Sequence, residues 1–102
     1  MNFGIENTKY ELKGLTKFRK QLKKVVKQGK NINKLVDVLK VLANGETLDS
    51  KYKDHALIND KYYKDCRELH IDPNWLLVYH YDNNELILIL VATGSHSEIL
   101  DK

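Results

Sequence analysis

Residues Trp75–Ala92 read WLLVYHYDNNELILILVA, two apolar stretches on either side of a polar tetrad. Asn and Asp tolerate the positive φ of a tight turn, so Asp82-Asn83-Asn84-Glu85 predicts a hairpin joining strands Trp75–Tyr81 and Leu86–Ala92. Leu86–Val91 shows no polar alternation, which predicts a central strand buried on both faces. Upstream, Lys64–Ile71 predicts a third strand. The turn Asp72-Pro73-Asn74 parts it from the hairpin, and the only proline sits where its missing N–H does no harm.

Further upstream the apolar period changes from strand to helix. Phe18, Leu22, Val25 and Val26 fall on one helical stripe, with Thr16 as the expected N-cap and Gly29 near the end. Ile32, Leu35, Val36, Leu39, Leu42 and Ala43 form a second, wider stripe, with Asn31 or Asn33 as cap and Gly45 just beyond. The short connection at Gly29 predicts an antiparallel helical hairpin. Before it, Lys9–Leu12 alternates as a short strand broken by Gly14. Residues 46–63 are polar and irregular, with Asp49, Asp54, Asn59 and Asp60 favouring turns. The order β-α-α-β-β-β predicts an α+β fold, a helical hairpin packed on an antiparallel sheet.

At 102 residues the chain is expected to form one domain, and 42% hydrophobic with 30% charged residues excludes a disordered one. The longest apolar run, Leu86–Ala92, is too short to span a membrane. The start MNFGIENTKY lacks the basic and apolar regions of a signal peptide, and Cys66 is the only cysteine. A reducing cytoplasm is the expected compartment. The net charge of +3 conceals an asymmetry: residues 1–40 hold eleven Lys and Arg against three acids, whereas residues 41–102 are net acidic. A basic half favours RNA, DNA, a ribosome or an acidic protein as partner.

Four histidines are the residues most suited to chemistry. His80 lies mid-strand between tyrosines and reads as structural. His55 falls in a loop, His70 at a strand end and His96 after the last strand, positions from which a scaffold exposes reactive groups. No HExxH, Cys/His cluster, phosphate-binding glycine loop or serine-hydrolase elbow occurs, so neither a metal nor another cofactor is expected. Cys66 reads as a packed thiol. Several imidazoles without a metal suit cleavage of RNA through its own 2′-hydroxyl, which needs a base for that proton and an acid for the departing 5′-oxygen. Arg67 is a candidate for the phosphate and Trp75 for stacking on a base.

KDHAL, CRELHIDPNWLLVYHY and LVATGSHSEIL, in this order behind two helices, resemble the YafQ branch of the RelE/ParE toxin superfamily. The resemblance covers about residues 9–100, so 9–102 reads as one RelE-like domain of the microbial RNase type and 1–8 as an N-terminal extension. It implies the toxin of a type II toxin–antitoxin system, a ribosome-dependent mRNA endoribonuclease using metal-independent 2′-OH chemistry. By motif position His55, His70 and His96 match the family's histidines, Trp75 its tryptophan and Arg67 a basic residue. The implied partners are the ribosome, mRNA and a ribbon-helix-helix antitoxin of the DinJ/RelB kind. Three departures stand out: Asn74 replaces an Asp, Ala92 an Arg and Leu100 an aromatic. Asp72 is a substitute for the missing acid, and Asn74 remains a candidate RNA contact. The alternative is a catalytically weakened homologue that binds antitoxin or ribosome without cutting. A gyrase-directed ParE-like role fits less well, because that branch generally lacks the histidine set.

Lys20, Lys23, Lys24 and Lys27 crowd the first helix as candidate RNA contacts. Reversing these four charges is expected to weaken binding to ribosomes, with a smaller salt dependence than the parent protein in a sedimentation assay. Unchanged binding would return them to an ordinary solvated face.

Overall fold

The computed structural model describes residues 3–100. The chain forms β1 (Glu11–Gly14), α1 (Thr16–Lys27), α2 (Ile32–Ala43), a 3₁₀ turn (Ser50–Tyr52), β2 (His55–Ala56), β3 (Arg67–Asp72), β4 (Trp75–Asp82), β5 (Ile87–Gly94) and α3 (His96–Leu100). One sheet runs in the order β1-β5-β4-β3-β2. It is antiparallel from β2 through β5, while β1 lies parallel to β5. After the two helices the chain enters the sheet at β2, on the far edge, and works back through β3 and β4 until β5 lies beside β1 in the same direction. The expected α+β architecture is therefore present, with β1 as a parallel edge and β2 and α3 as additions.

The shifted bounds have local causes. Tyr10 donates its amide to Ala43 O at 2.8 Å, anchoring it to the end of α2, so the strand starts at Glu11 and not Lys9. Gly14 continues the strand opposite Leu90, and the Leu15 amide still donates to Leu90 O at 3.0 Å. Leu15 therefore remains extended as the N-cap, without a side-chain cap, and Thr16 is the first helical residue. Asn31 does cap α2, accepting from the Asn33 amide at 3.0 Å.

Phe18 and Val25 of α1, with Leu35, Val38, Leu39 and Leu42 of α2, bury against Leu69, Ile71, Trp75, Leu77, Tyr79, Leu88 and Leu90. α1 packs chiefly on β5, and α2 reaches β3. Ile5 and Phe3, ahead of β1, join the same core. Val26, expected on the apolar stripe, points to solvent at 51% exposure. The opposite face of the sheet carries a smaller cluster of Tyr63, Cys66, Leu76, Val78, Ala92 and Ile99, covered among the described residues by the 57–66 loop and α3.

This unequal cover corrects the reading of β5. The strand is central, but Leu88 and Leu90 are buried while Ile87 and Ile89, facing the other way, are only half-buried. Leu86 precedes the strand, exposed and at φ 55° in the turn. Pairing also shifts between Val78 and Tyr79: Tyr79 opposes Leu90 whereas Val78 opposes Ala92, leaving Val91 as an extra residue. This bulge turns Ala92 to the smaller cluster and Thr93 to the helix side. There the Thr93 hydroxyl accepts from Trp75 Nε1–H at 2.9 Å and donates to Leu76 O at 2.7 Å.

Thr93→Val keeps the shape of that residue while leaving the buried indole N–H without an acceptor. It is expected to lower stability by about 1–3 kcal/mol in urea denaturation. A midpoint equal to that of the parent would contradict this account of the β4–β5 junction.

Candidate functional site

The 49–56 segment is folded by its own polar groups. Asp49 accepts from the Lys51 amide at 2.9 Å and starts the 3₁₀ turn; Lys53, at φ 52°, ends it and releases the chain into β2. The Lys53 carbonyl then accepts from His55 Nδ1–H at 2.8 Å, which leaves Nε2 as the ring nitrogen free for proton transfer. Neighbouring residues of an extended chain face opposite ways. Asp54 accordingly turns to the helix side, accepting from Tyr79 Oη–H at 2.7 Å and Arg67 Nε–H at 3.2 Å. Burial and the Asp54 carboxylate push the Tyr79 hydroxyl well above its ordinary range, so it stays a donor. Beside it, burial pushes the Tyr81 hydroxyl up to about 12.

His55 pairs with Glu68 across β2 and β3, and His70 lies two residues along β3 from Glu68. All three side chains therefore share the face opposite α1 and α2. Glu68 is 3% exposed. Its Oε1 lies 3.6 Å from His55 Nε2 and 3.9 Å from His70 Nε2, while Oε2 has no hydrogen-bond partner. Glu68 was not among the residues the sequence singled out. The signal that could have singled it out is the alternation in Glu68-Leu69-His70, which puts an acid and an imidazole on one strand face.

His96 arrives on the same face by a different route. α3 docks through Ile99 onto Leu76, Val78 and Ala92. Gly94, at φ 150°, makes the turn into it, and a Cβ there would meet Glu98 Oε1 at 3.2 Å and Ile99 Cγ2 at 3.3 Å. Ser95 and Glu98 form a reciprocal cap: the Ser95 amide donates to Glu98 Oε1 at 2.8 Å, and the Glu98 amide donates to Ser95 Oγ at 3.2 Å. One stripe of α1 holds this segment. Lys17 donates to Tyr63 Oη at 2.8 Å, Gln21 Oε1 accepts from the Thr93 amide at 3.0 Å, and Lys24 pairs with Glu98. Tyr63 Oη–H in turn donates to Ile99 O at 2.6 Å. His96 itself is exposed, and among the described residues no hydrogen bond or ion pair joins it to His55 or His70.

Other expected site residues lie elsewhere. Trp75 is fully buried in the helix-side core, so its ring has no open face for a base; this corrects the stacking role. Arg67 points to the helix side of β3, paired with Asp54 and not with Glu68 or Asp65, although its side chain remains 41% exposed. Asp72 pairs with Lys34 at 2.8 Å, beside a groove of about 510 Å³ that His70, Lys51 and Lys53 also line. Asn74 is exposed in the β3–β4 turn. On α1, Lys20, Lys23 and Lys27 are exposed, whereas Lys24 is occupied by Glu98. His80 is turned to the Asp65 carbonyl at 2.8 Å. Burial pushes the Cys66 thiol up, as suits a packed cysteine. Ala92 is fully buried beneath Ile99, and the side chain of Leu100 lies outside the described residues. Among the described residues no group of three His, Cys, Asp or Glu is arranged to hold a metal ion, and no helix is long and apolar enough to cross a membrane.

Residues 10–101 match the family model of the bacterial toxin of type II toxin-antitoxin systems, YafQ. The mRNA interferase toxin YafQ of Escherichia coli BL21-DE3 is 32% identical over 83 residues, which cover 80% of this chain and 86% of that protein. The structure of a metal-bound toxin from Helicobacter pylori superposes with a TM-score of 0.82 at 42% identity, covering 88% of this chain and 98% of that one. YafQ in the E. coli DinJ–YafQ complex superposes with a TM-score of 0.77 at 30% identity, covering 88% and 97%.

Lys24, together with hydrogen bonding from the Ser95 amide and hydroxyl, holds the Glu98 carboxyl down from its ordinary 4.5 to about 2. A depressed carboxyl stabilises the folded form fully above its unfolded pKa, and loses that contribution as pH falls through the folded value. Docking of α3 is therefore expected to weaken between about pH 4.5 and 2, and Lys24→Met is expected to move the loss to higher pH. Amide NMR signals of Ser95–Ile99 followed against pH check this. Signals indifferent to pH and to the substitution would contradict it.

Proposed function

Because the chain belongs to the YafQ family of toxins from type II toxin–antitoxin systems, we propose that it is a ribosome-dependent mRNA endoribonuclease held in check by a cognate antitoxin. The observation that carries this reading is the gathering of His55 and His70 about one buried carboxylate, on the same sheet face that bears the helix of His96. His55 or His70 takes the proton of the RNA 2′-hydroxyl through Nε2. The 2′-oxygen bonds to the adjacent phosphorus, the P–O5′ bond breaks, and His96 gives a proton to the departing 5′-oxygen. A 2′,3′-cyclic phosphate and a 5′-hydroxyl result. The protons balance without a metal.

Substrate positioning is assigned to charge. Arg67 of β3, with a half-exposed side chain, and Lys20, Lys23 and Lys27 on α1 contact RNA phosphates, a role that suits exposed cations because backbone contacts dominate affinity for polyanions. Asn74 meets a base or sugar, a role its exposure beside the Asp72–Lys34 pair suits, and Asp72 stays a secondary acid bridged to Lys34. The partner is an acidic ribbon-helix-helix antitoxin; the E. coli relative forms a complex with DinJ. The cytoplasm, where translated mRNA is found, is the site of action. The named relatives, both called interferases, do not favour the weakened, non-cleaving alternative.

Expression without antitoxin is expected to arrest growth and to produce cuts in translated mRNA, mapped by primer extension. His96→Ala is expected to lower cleavage by about 10²–10⁴-fold, the usual contribution of a positioned acid. Intact growth and intact mRNA at confirmed expression would overturn the reading.

A further inference from the structure

We propose that Tyr62 is the base-stacking residue of this protein, its ring taking a base of the single-stranded mRNA beside the bond that is cut. The proposal rests on the RNA-cleaving function above and supplies the stacking surface that Trp75, buried in the core, cannot offer. Where the family pattern ends on an aromatic, this chain has Leu100, which has no ring to offer either.

The 57–66 loop is anchored at both ends and turned outward in the middle. Leu57 donates its amide to Cys66 O at 2.9 Å, closing the loop just beyond the pairing of β2 with β3. Leu57, Tyr63 and Cys66 pack into the smaller cluster. Asp60 Oδ1 accepts from the amides of Tyr62 and Tyr63 at 2.8 and 2.9 Å, which fixes the backbone that carries both rings. Tyr63 runs inward, and its hydroxyl donates to Ile99 O of α3 at 2.6 Å. Tyr62 goes the other way and is 63% exposed, while Ile58 earlier in the loop is 81% exposed. Among the described residues these are the two most exposed large apolar side chains. One such residue alone would be ordinary, but two on a single short, tethered loop mark a contact surface.

The position of the loop selects the partner. It begins two residues after His55 and is bonded through Tyr63 to the helix of His96, so the backbone that presents Tyr62 is tied to the carriers of both proton-transfer groups. Between its limbs lies a cleft of about 740 Å³ that Ile58, Lys64 and Arg67 help to line, Arg67 being the phosphate contact assigned above. Net charge does not recommend the loop, because Asp60 and Asp65 offset Lys61 and Lys64. What it offers RNA is a ring. Every base has a π-face, so stacking holds a nucleotide without reading its identity, and Lys61 Nζ, 5.6 Å from the ring centre, adds a cation for the adjoining phosphate. With the backbone already fixed, little ordering cost opposes the contact.

The test uses purified full-length protein and ribosomes programmed with a short mRNA. Tyr62→Ala is expected to lower kcat/KM for cleavage roughly 5–150-fold, the range that base–aromatic stacking implies. Tyr62→Phe is expected to cut like the parent, and all three proteins to share one Tm and one salt dependence. A second mRNA carries 2-aminopurine beside the scissile bond and a 2′-deoxy sugar at that bond, so that it binds uncut. Stacking quenches this base, so its emission is expected to be lower with the parent or Tyr62→Phe bound than with Tyr62→Ala. Parent-like cleavage by Tyr62→Ala, or equal emission with all three, would overturn the proposal. So would a loss in Tyr62→Ala matched by a lowered Tm, which marks a structural residue, or normal cutting that the antitoxin no longer restrains, which marks an antitoxin contact. If the parent cuts no RNA, the functional reading fails, and the emission of the uncut mRNA still decides whether Tyr62 stacks.

Discussion

The extra residue in β5 governs how the two faces of the sheet differ. Val91 has no partner of its own on β4, so the strand changes register there: Leu88 and Leu90 enter the helix-side core, while Ala92 drops into the smaller cluster. Without that insertion Thr93 would leave the helix side, and Trp75 would lose the hydroxyl its indole N–H requires. Gly94 then turns the chain where a side chain would crowd Glu98 and Ile99, and α3 can lie back across Leu76 and Val78. The bulge thus brings His96 to the face that already carries Glu68, His55 and His70.

The faces consequently do different work. On one side, two helices seal a large apolar core around Trp75 and Tyr79, and polar groups there are paired, as in the Asp54, Arg67 and Tyr79 cluster. On the other, cover is thin, and a buried carboxylate is left incompletely satisfied between two imidazoles. Incomplete satisfaction of this kind is common where stability is exchanged for chemistry. The basic helix serves both sides: Lys17 and Lys24 clasp the His96 segment, while Lys20, Lys23 and Lys27 face solvent. Charge that seems uniform along the helix is therefore divided between internal support and external attraction.

The helices were legible because their apolar stripes repeat at helical spacing, and β3, β4 and β5 because turn residues bracket them. The parallel pairing of β1 was not, since four residues carry no mark of strand direction. Nor was β2, a two-residue strand that exists only through its pairing with β3. Trp75 followed the wrong expectation for a related reason. A tryptophan after a turn looks exposed in sequence, yet the bulge in the neighbouring strand β5 supplies it with Thr93 and a buried place. The histidines could be chosen by loop and strand-end position, whereas their union through Glu68 depends on pairing between residues thirteen positions apart.

The most direct test of the central claim, metal-independent cleavage through the RNA's own 2′-hydroxyl, is the chemistry of the ends left on mRNA cut by the purified toxin on ribosomes. Histidine acid–base catalysis predicts a 5′-hydroxyl on one fragment and a 2′,3′-cyclic phosphate, or the 3′-phosphate it opens to, on the other. A 5′-phosphate with a 3′-hydroxyl would mean that water and not the 2′-oxygen attacks, and would contradict the account.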